Sequence, residues 1–120
     1  MTINGSCHCG AVAYEFRDKP EWATDCNCST CRRLSALWIY SDIANITIKA
    51  EAGATVRYMH GPKTIAFHTC NTCGSTAYWE NLEDGINGKM AVNLRLANPE
   101  VVNAIKVRKF DGADTWAFIE

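Results

Sequence analysis

The sequence predicts a mainly β domain that has one or two short helices. Short stretches that alternate between apolar and polar residues recur along the chain, and such alternation is typical of half-buried strands. Glycine and proline separate these stretches at short intervals, as they do in turns. The 120 residues fit one domain, which we expect to span residues 1–120. The apolar core of a domain of this size is modest.

At least six short strands are predicted. The most regular one places Val12, Tyr14 and Phe16 on one face and Glu15 on the other. Residues 37–40 are apolar on both faces, which indicates a buried strand. The other predicted strands lie, in chain order, at residues 21–24, 46–48, 55–58, 64–68, 77–79 and 90–96.

Two short helices are predicted from their start signals. Residues 32–35 can form one helical turn, with Ser29 or Thr30 as its cap. The Asn98-Pro99 pair begins the second helix, because asparagine favours the N-cap and proline favours the first helical position. We expect this helix to end at about Ile105.

Turns and loops join these elements. His60-Gly61-Pro62-Lys63 is a predicted turn, because glycine and proline supply the dihedral angles that a chain reversal needs. Residues 81–88 are polar and contain glycine, which indicates a loop. In the C-terminal segment, Asp111-Gly112 is predicted to turn and Trp116-Ala117-Phe118 to close the core.

Composition and charge exclude several classes of protein. The net charge of −1 provides no basic field of the kind that dominates nucleic-acid binding, so we expect no nucleic-acid partner. No apolar run approaches the roughly 20 residues that span a bilayer, so we expect no membrane association. The N-terminus has no basic region followed by an apolar one, so we expect no secretory signal and a cytoplasmic protein.

The chain has seven cysteines, a high and odd number for its length. In a reducing cytosol, closely spaced cysteines are more often metal ligands or catalytic groups than disulfides. The alternative is a secreted disulfide scaffold with one free thiol. The short spacings and the missing signal favour metal binding.

Four cysteines form pairs with the spacing of metal ligands. Cys70-Asn71-Thr72-Cys73-Gly74 has the form of a zinc knuckle, in which the glycine lets backbone N–H groups turn towards the sulfurs. Cys7 and Cys9 can complete a site with four thiolates, and four protein ligands are typical of a structural zinc. The alternative is a redox role for the CxxC pair, which would need a helix N-terminus and a βαβ context. Strands are predicted on both sides of it here.

Cys26, Cys28 and Cys31 remain, and three thiolates are one ligand short of a closed site. A zinc ion with three protein ligands and one open position is the usual catalytic arrangement. Water, a substrate, His8 or His68 could fill the fourth position, and a histidine there would make the site structural. A buried and hydrogen-bonded side chain is the plainer interpretation of His68.

An open zinc site with thiolate ligands suits thiol chemistry. A thiol that binds the metal loses its proton and becomes the nucleophilic thiolate, and the metal can polarise an aldehyde carbonyl. We therefore expect a reaction that joins a thiol to an aldehyde, or the reverse cleavage. Arg32 and Arg33 are candidates for binding a substrate carboxylate, with a solvated surface pair as the alternative. We interpret Trp38, Trp79 and Trp116 as core residues, with contacts to a substrate as the alternative.

Three motifs follow one another along almost the whole chain. They are Gly5-Ser6-Cys7-His8-Cys9-Gly10-Ala11-Val12, Cys26-Asn27-Cys28-Ser29-Thr30-Cys31-Arg32-Arg33 and Cys70-Asn71-Thr72-Cys73-Gly74-Ser75. Together they resemble the glutathione-dependent formaldehyde-activating enzyme family, which includes centromere protein V. The segment at residues 107–116 resembles a subgroup labelled aldehyde-activating protein.

The resemblance implies an Mss4-like fold of β-sheets that carries two Zn²⁺ ions. It assigns the structural zinc to the paired cysteines (Cys7, Cys9, Cys70 and Cys73) and the catalytic zinc to the group of three (Cys26, Cys28 and Cys31). It also implies carbon–sulfur lyase activity, in which formaldehyde and glutathione give S-hydroxymethylglutathione. The expected partners are therefore a small-molecule thiol and an aldehyde.

Two functions are compatible with these motifs. The first is the zinc-dependent enzyme, for which we expect Cys28→Ser to lose the second zinc and the activity while Cys73→Ser unfolds the domain. The second is a non-enzymatic, zinc-stabilised module that binds a protein, in which both metals are structural.

Overall fold

The computed structural model describes residues 1–119 and confirms a mainly β chain with two short α-helices. The strands are β1 (Ile3–Ser6), β2 (Ala13–Phe16), β3 (Ala23–Cys26), β4 (Trp38–Asp42), β5 (Ile46–Lys49), β6 (Thr55–Tyr58), β7 (Ile65–Cys70), β8 (Thr76–Asn81), β9 (Lys89–Asn93), β10 (Val107–Phe110) and β11 (Phe118–Ile119). The helices are α1 (Cys31–Leu34) and α2 (Pro99–Ala104). Turns of 3₁₀ helix lie at Ile43–Asn45, Gly85–Asn87 and Leu94–Leu96.

These strands form two sheets. One has three strands in the order β1-β2-β5, and the other has eight in the order β11-β10-β3-β4-β9-β8-β7-β6. Neighbouring strands are antiparallel, except that β3 and β10 are parallel, with Phe110 opposite Cys26. Because parallel strands run in the same direction, the loops that follow β3 and β10 leave the sheet at the same edge.

Side chains from both sheets form the main core. Tyr14 and Phe16 of β2 pack in one cluster with Ile39 of β4 and Val92 of β9, and all four are almost fully buried. The Tyr14 hydroxyl donates to the carbonyl oxygen of Asn93 at 3.0 Å, which satisfies the one polar atom of its side chain. Burial of Val12, Tyr14 and Phe16 confirms the predicted apolar face of β2.

All of the predicted strands are present, with their ends shifted by a few residues. Strands β1, β10 and β11 were not predicted. Residues 4–6 of β1 are Asn-Gly-Ser, which have low strand propensity, and this strand forms through its pairing with β2.

The predicted strand at 90–96 is too long, because it ends at Asn93. The Asn93 side-chain oxygen accepts hydrogen bonds from the backbone N–H groups of Leu37 and Arg95, at 3.2 and 3.1 Å. The second of these bonds begins the 3₁₀ turn Leu94–Leu96. Burial does not alternate along this strand, since Met90 to Leu94 are all buried.

The two helices lie where they were predicted, but their caps differ. Thr30 and Asn98 occupy the N-cap positions, and neither side chain makes a capping hydrogen bond. Pro99 is at the start of α2, as predicted. Neither helix, nor any other within residues 1–119, is long and apolar enough to cross a membrane.

Candidate metal centres and cavity

The first candidate centre joins the two sheets. Cys7 and Cys9 lie in the turn between β1 and β2, while Cys70 ends β7 and Cys73 lies in the turn between β7 and β8. Their four sulfur atoms all lie within 4.8 Å of one another. The sulfurs of Cys7 and Cys9 are 3.7 Å apart, and those of Cys9 and Cys70 are 3.6 Å apart. The structure thus brings together the four thiols that the spacing predicted.

This geometry fits a zinc ion. Sulfurs at about 2.3 Å from zinc in a tetrahedron are about 3.8 Å from one another, which the observed separations match closely. Backbone N–H groups approach two of the sulfurs, with Val12 N at 3.2 Å from Cys7 and Thr72 N at 3.4 Å from Cys70. Such donors stabilise thiolates.

Hydrogen bonds also favour the thiolate at the knuckle. The Ser75 hydroxyl, together with backbone N–H groups, lowers the pKa of Cys73 to about 5. Backbone N–H groups of Cys73 and Thr72 lower the pKa of Cys70. Metal ions bind cysteines as thiolates, so the lowered pKa values of Cys70 and Cys73 favour the form of these side chains that binds a cation.

The second candidate centre lies between β3 and α1. Cys26 ends β3, Cys28 is in the loop and Cys31 begins α1, and their sulfurs lie within 4.8 Å of one another. The Cys31 backbone N–H donates to the Cys28 sulfur at 3.3 Å. Burial raises the pKa of Cys26. Burial acts on Cys28 too, but hydrogen bonds led by the Cys31 N–H outweigh it and lower the pKa of Cys28.

No histidine joins either sulfur group within residues 1–119. His68 is buried, and its ring nitrogens lie 2.7 Å from the Thr55 hydroxyl and 2.8 Å from a Glu80 carboxylate oxygen. This confirms the interpretation of His68 as a hydrogen-bonded core residue. His8 is exposed. The three-thiol group therefore has no fourth protein ligand of the histidine, cysteine or carboxylate type among the described residues.

Hydrogen bonds of Asn27 connect the C-terminal segment to the loop that carries Cys28. The Asn27 side chain donates to the Asp111 carboxylate at 3.0 Å and accepts from the backbone N–H of Ala113 at 3.0 Å. The Asn27 amide and the Thr115 N–H and hydroxyl hold the pKa of Asp111 below its usual range. Parallel pairing of β3 with β10 explains why two segments so far apart in sequence meet here.

Gly112 lies directly against Cys26 and Cys28. A Cβ atom at this position would be 2.6 Å from the Cys26 sulfur and 3.1 Å from the Cys28 Cβ. Both distances are shorter than van der Waals contact, so only glycine leaves room for the cysteine loop.

Gly112→Ala is therefore expected to push the loop at 111–117 away from Cys26. Overpacking of this kind costs about 1–3 kcal/mol, and we expect a lower melting temperature and weakened metal binding at the three-thiol group. Metal analysis and thermal melting check this. Asp114→Ala, an exposed change in the same loop, is the matched control; equal metal content and melting temperature in both variants would contradict the steric argument.

A cavity of about 700 Å³ opens beside the three-thiol group. One face of the eight-stranded sheet forms much of its wall, through Trp38 and Tyr40 of β4, Ile65 and Phe67 of β7, and Trp79 of β8. The rest of the lining comes from the cysteine loop and two other segments: Cys26, Asn27, Cys28, Ser29, Thr30, Cys31, Arg32, His60, Pro62, Phe110, Gly112, Ala113 and Trp116. The volume is in the range of small-molecule sites.

Trp38 brings a buried donor to this cavity. Its indole N–H is, within residues 1–119, the buried side-chain polar group that has no hydrogen-bond partner. Leaving such a donor unpaired costs about 1–3 kcal/mol. Burial raises the pKa of the Cys31 thiol, and the Trp38 indole acts against this shift. A Cys31 thiolate bound to a metal ion would supply the acceptor that Trp38 lacks.

The interpretation of the three tryptophans as core residues is correct for Trp38, partly correct for Trp79, which is half-buried against the core, and wrong for Trp116. Trp38 is 1% exposed, whereas Trp116 is 71% exposed. Trp116 also has a positive φ of 57°, a conformation that costs a bulky residue about 1–3 kcal/mol. The predicted closure of the core is made instead by Phe118, whose ring contacts those of Trp22 and Phe110.

The two candidate arginines differ in position. Arg32 lines the cavity. Arg33 lies outside the cavity lining, and its guanidinium donates to the Ser29 carbonyl oxygen at 2.7 Å. Both side chains are exposed.

Sequence reasoning missed several residues of the cavity. Residues 64–68 were predicted as a strand, but the sequence does not say which of its side chains border the cysteines. No local signal connects Asp111, Gly112 or Trp116 to Cys26, because their meeting depends on the β3–β10 pairing.

Comparisons with known proteins agree with the cysteine motifs. The family model for glutathione-dependent formaldehyde-activating enzyme matches residues 2–107, which include all seven cysteines. Among solved structures, the chain is similar to the crystal structure of a Rhodobacter sphaeroides protein, with a TM-score of 0.69, 26% sequence identity, and coverage of 88% of this chain and 99% of that chain. No curated protein sequence matches the chain. Gly112 and Trp116 lie beyond the segment that the family model matches.

Proposed function

Because this chain belongs to the glutathione-dependent formaldehyde-activating enzyme family, we propose that it joins a thiol and an aldehyde, or splits their adduct. Glutathione and formaldehyde are the pair that the family's description names. The observation that carries the proposal is the position of Cys26, Cys28 and Cys31, three converging thiols at the wall of a large cavity. A closed structural centre would have a fourth protein ligand.

We assign a structural Zn²⁺ to Cys7, Cys9, Cys70 and Cys73, and a catalytic Zn²⁺ to Cys26, Cys28 and Cys31. A zinc ion with three protein ligands supplies a position where a thiol can bind as its thiolate. The residues around the second group support this assignment. The indole N–H of Trp38 has no partner and acts on the Cys31 thiol, and Gly112 leaves room for the Cys26 sulfur.

The chain's own residues orient the substrates. In the forward direction the thiol sulfur forms a bond to the carbonyl carbon, the C=O double bond becomes a single bond, and the thiol proton ends on the oxygen. No electrons are gained or lost overall. Arg32 at the cavity wall binds a carboxylate of the thiol peptide, and the apolar wall excludes water from the reacting carbon. Arg33 adds positive charge near the cavity mouth.

Arg32→Ala is expected to raise KM for glutathione about tenfold with little change in kcat. Loss of one charged hydrogen bond weakens ground-state and transition-state binding equally. Steady-state kinetics at varied glutathione concentration check this. Arg33→Ala is the paired variant, for which we expect a smaller rise in KM because Arg33 is bonded to Ser29. A larger effect at Arg33 than at Arg32 would contradict the assigned roles.

A non-enzymatic module that binds a protein is the alternative function. The cavity argues against it, because a concave, aromatic-lined site of this volume suits a small molecule. We further propose that residues 1–120 are one domain and that the protein works in the cytoplasm, where thiols stay reduced.

The proposed reaction is tested by exchange NMR with ¹³C-formaldehyde and glutathione. The zinc-loaded protein is expected to increase the exchange rate between formaldehyde hydrate and S-hydroxymethylglutathione above the spontaneous rate. The same protein with Cys28→Ser is the control, and it should leave the spontaneous rate unchanged. Equal exchange with and without the zinc-loaded protein would contradict the proposed reaction.

A further inference from the structure

We propose that the aldehyde used at this site carries a bulky apolar group, an aromatic ring or an alkyl chain, which the site prefers to formaldehyde. This inference rests on the proposed function and names the class of its carbonyl substrate. The carbonyl lies at the three thiols, and the apolar group lies between the sheet wall and Trp116.

Size is the first argument. Formaldehyde has only two heavy atoms, whereas the cavity measures about 700 Å³. Sites of this volume enclose most of the surface of drug-sized ligands. A thiol peptide that binds at the cysteines and at Arg32 does not fill the part of the cavity that Tyr40, Phe67 and Trp79 line.

The chemistry of the wall is the second argument. Six aromatic side chains line the cavity, namely Trp38, Tyr40, Phe67, Trp79, Phe110 and Trp116. Arg32 is the one lining residue with a permanent charge within residues 1–119. A glutathione peptide, with two carboxylates and an ammonium group, matches the region of Arg32 and does not match the aromatic wall. An apolar substituent on the aldehyde does match it, since apolar groups leave water for apolar surroundings.

The sheet presents this wall as a continuous surface. Tyr40 and Trp79 have ring centroids 6.0 Å apart, and Trp38 and Phe67 also have ring centroids 6.0 Å apart. Both Tyr40 and Trp79 are paired in register with Ala91 of β9, a small buried residue between them. The small side chain of Ala91 lets the Tyr40 and Trp79 rings approach each other above it, so the two rings present one apolar surface to the cavity.

Trp116 is the third argument, because it is exposed while being firmly held. Its backbone N–H donates to the Asp111 carbonyl oxygen at 2.8 Å, and Asp111 N–H donates to the Ala117 carbonyl oxygen at 2.8 Å. Its ring meets that of Phe110 edge to face, with centroids 5.1 Å apart. A large apolar side chain kept at a positive φ and 71% exposed points to a contact with something outside the fold.

The reaction with such an aldehyde is balanced without any further reagent. The thiol sulfur bonds to the aldehyde carbon, the carbonyl double bond opens, and the thiol proton moves to the oxygen to give a hemithioacetal. The reverse reaction releases the same two molecules. The apolar substituent takes no part in the chemistry and contributes binding only.

Calorimetry with stable adduct analogues tests this without turnover. We expect the zinc-loaded protein to bind S-benzylglutathione and S-hexylglutathione at least tenfold more tightly than S-methylglutathione. Trp116→Ala should reduce this preference to less than threefold, and Trp116→Phe should restore most of it. Ile86→Ala removes an exposed apolar side chain outside the cavity lining and should leave the preference unchanged. Melting temperatures close to that of the parent protein are expected for all three variants.

The outcomes separate this inference from the proposed function. Equal affinity for the three analogues, or binding of none, overturns the inference. A preference that persists in full in Trp116→Ala also overturns the role of Trp116. If the protein prefers the benzyl and hexyl analogues but does not accelerate exchange with any aldehyde, the apolar site is supported and the proposed reaction is contradicted. If the protein accelerates exchange over the spontaneous rate by a larger factor with formaldehyde than with hexanal or phenylacetaldehyde, the reaction is supported and the inference is overturned.

Discussion

Replacing Cys73 with serine is expected to unfold the domain at ordinary temperatures. The proposed four-thiolate centre joins the turn between β1 and β2 to the turn between β7 and β8, and these turns belong to different sheets. A structural zinc supplies about 10–16 kcal/mol of folding free energy in small zinc-dependent domains. Folded proteins are stable by only about 5–15 kcal/mol. Loss of this metal would therefore remove most or all of the net stability.

Circular dichroism melting and zinc analysis by native mass spectrometry measure this effect. The Cys73→Ser protein should show no cooperative melting transition and should lose both zinc ions, since the second centre depends on the fold. Ser75→Ala, which removes the hydroxyl 3.5 Å from the Cys73 sulfur and keeps the thiol, is the matched control and should remain folded. A folded Cys73→Ser protein that melts near the parent temperature would show that the first centre is not structural.

Replacing Cys28 with serine is expected to abolish activity while the fold persists. Cys28 is one of three proposed ligands, and two remaining thiolates would not retain the ion. The loop around it has other supports, including the hydrogen bonds of Asn27 with Asp111 and Ala113. We expect the melting temperature to fall by less than about 10 °C, since a loss of one or two kcal/mol has that effect in a domain of this size.

For Cys28→Ser we expect one zinc ion per chain and an exchange rate equal to the spontaneous rate. Replacement of Ser29, the exposed neighbour, by alanine should preserve both metals and the activity. Collapse of the fold in Cys28→Ser would contradict the division between a structural and a catalytic centre. Retained exchange activity would remove Cys28 from the catalytic centre.

Local patterns were sufficient to predict most of the strands and both groups of cysteines. The alternation of Val12, Tyr14 and Phe16 with other residues predicts β2. The spacing of the cysteines alone distinguishes the two cysteine pairs from the group of three. These signals are local because a strand's burial and a metal knuckle are encoded within a few neighbouring residues. Cys9 and Cys70 are 61 positions apart in the sequence, yet the four-thiol centre that contains them could be predicted. The number of ligands that a zinc site needs does not depend on the path of the chain between them.

Features that depend on strand pairing could not be predicted. Gly112 contacts Cys26 because β10 lies parallel to β3. Nothing in the sequence of either strand indicates that the two strands pair. Trp116 looked like a core residue because it is large and apolar, yet its loop directs it outwards. The role of Asn93 in ending β9 depends on contacts with Leu37 and Thr76, which are distant in sequence.

We propose that one zinc ion is bound by four protein sulfurs and the other by three, with its fourth position open. Zinc X-ray absorption on the fully loaded protein tests it directly. We expect two zinc ions per chain and an average sulfur coordination number between three and four, which rises to four when glutathione is added. An average of four sulfurs before any thiol is added, or no change on its addition, would contradict the open centre.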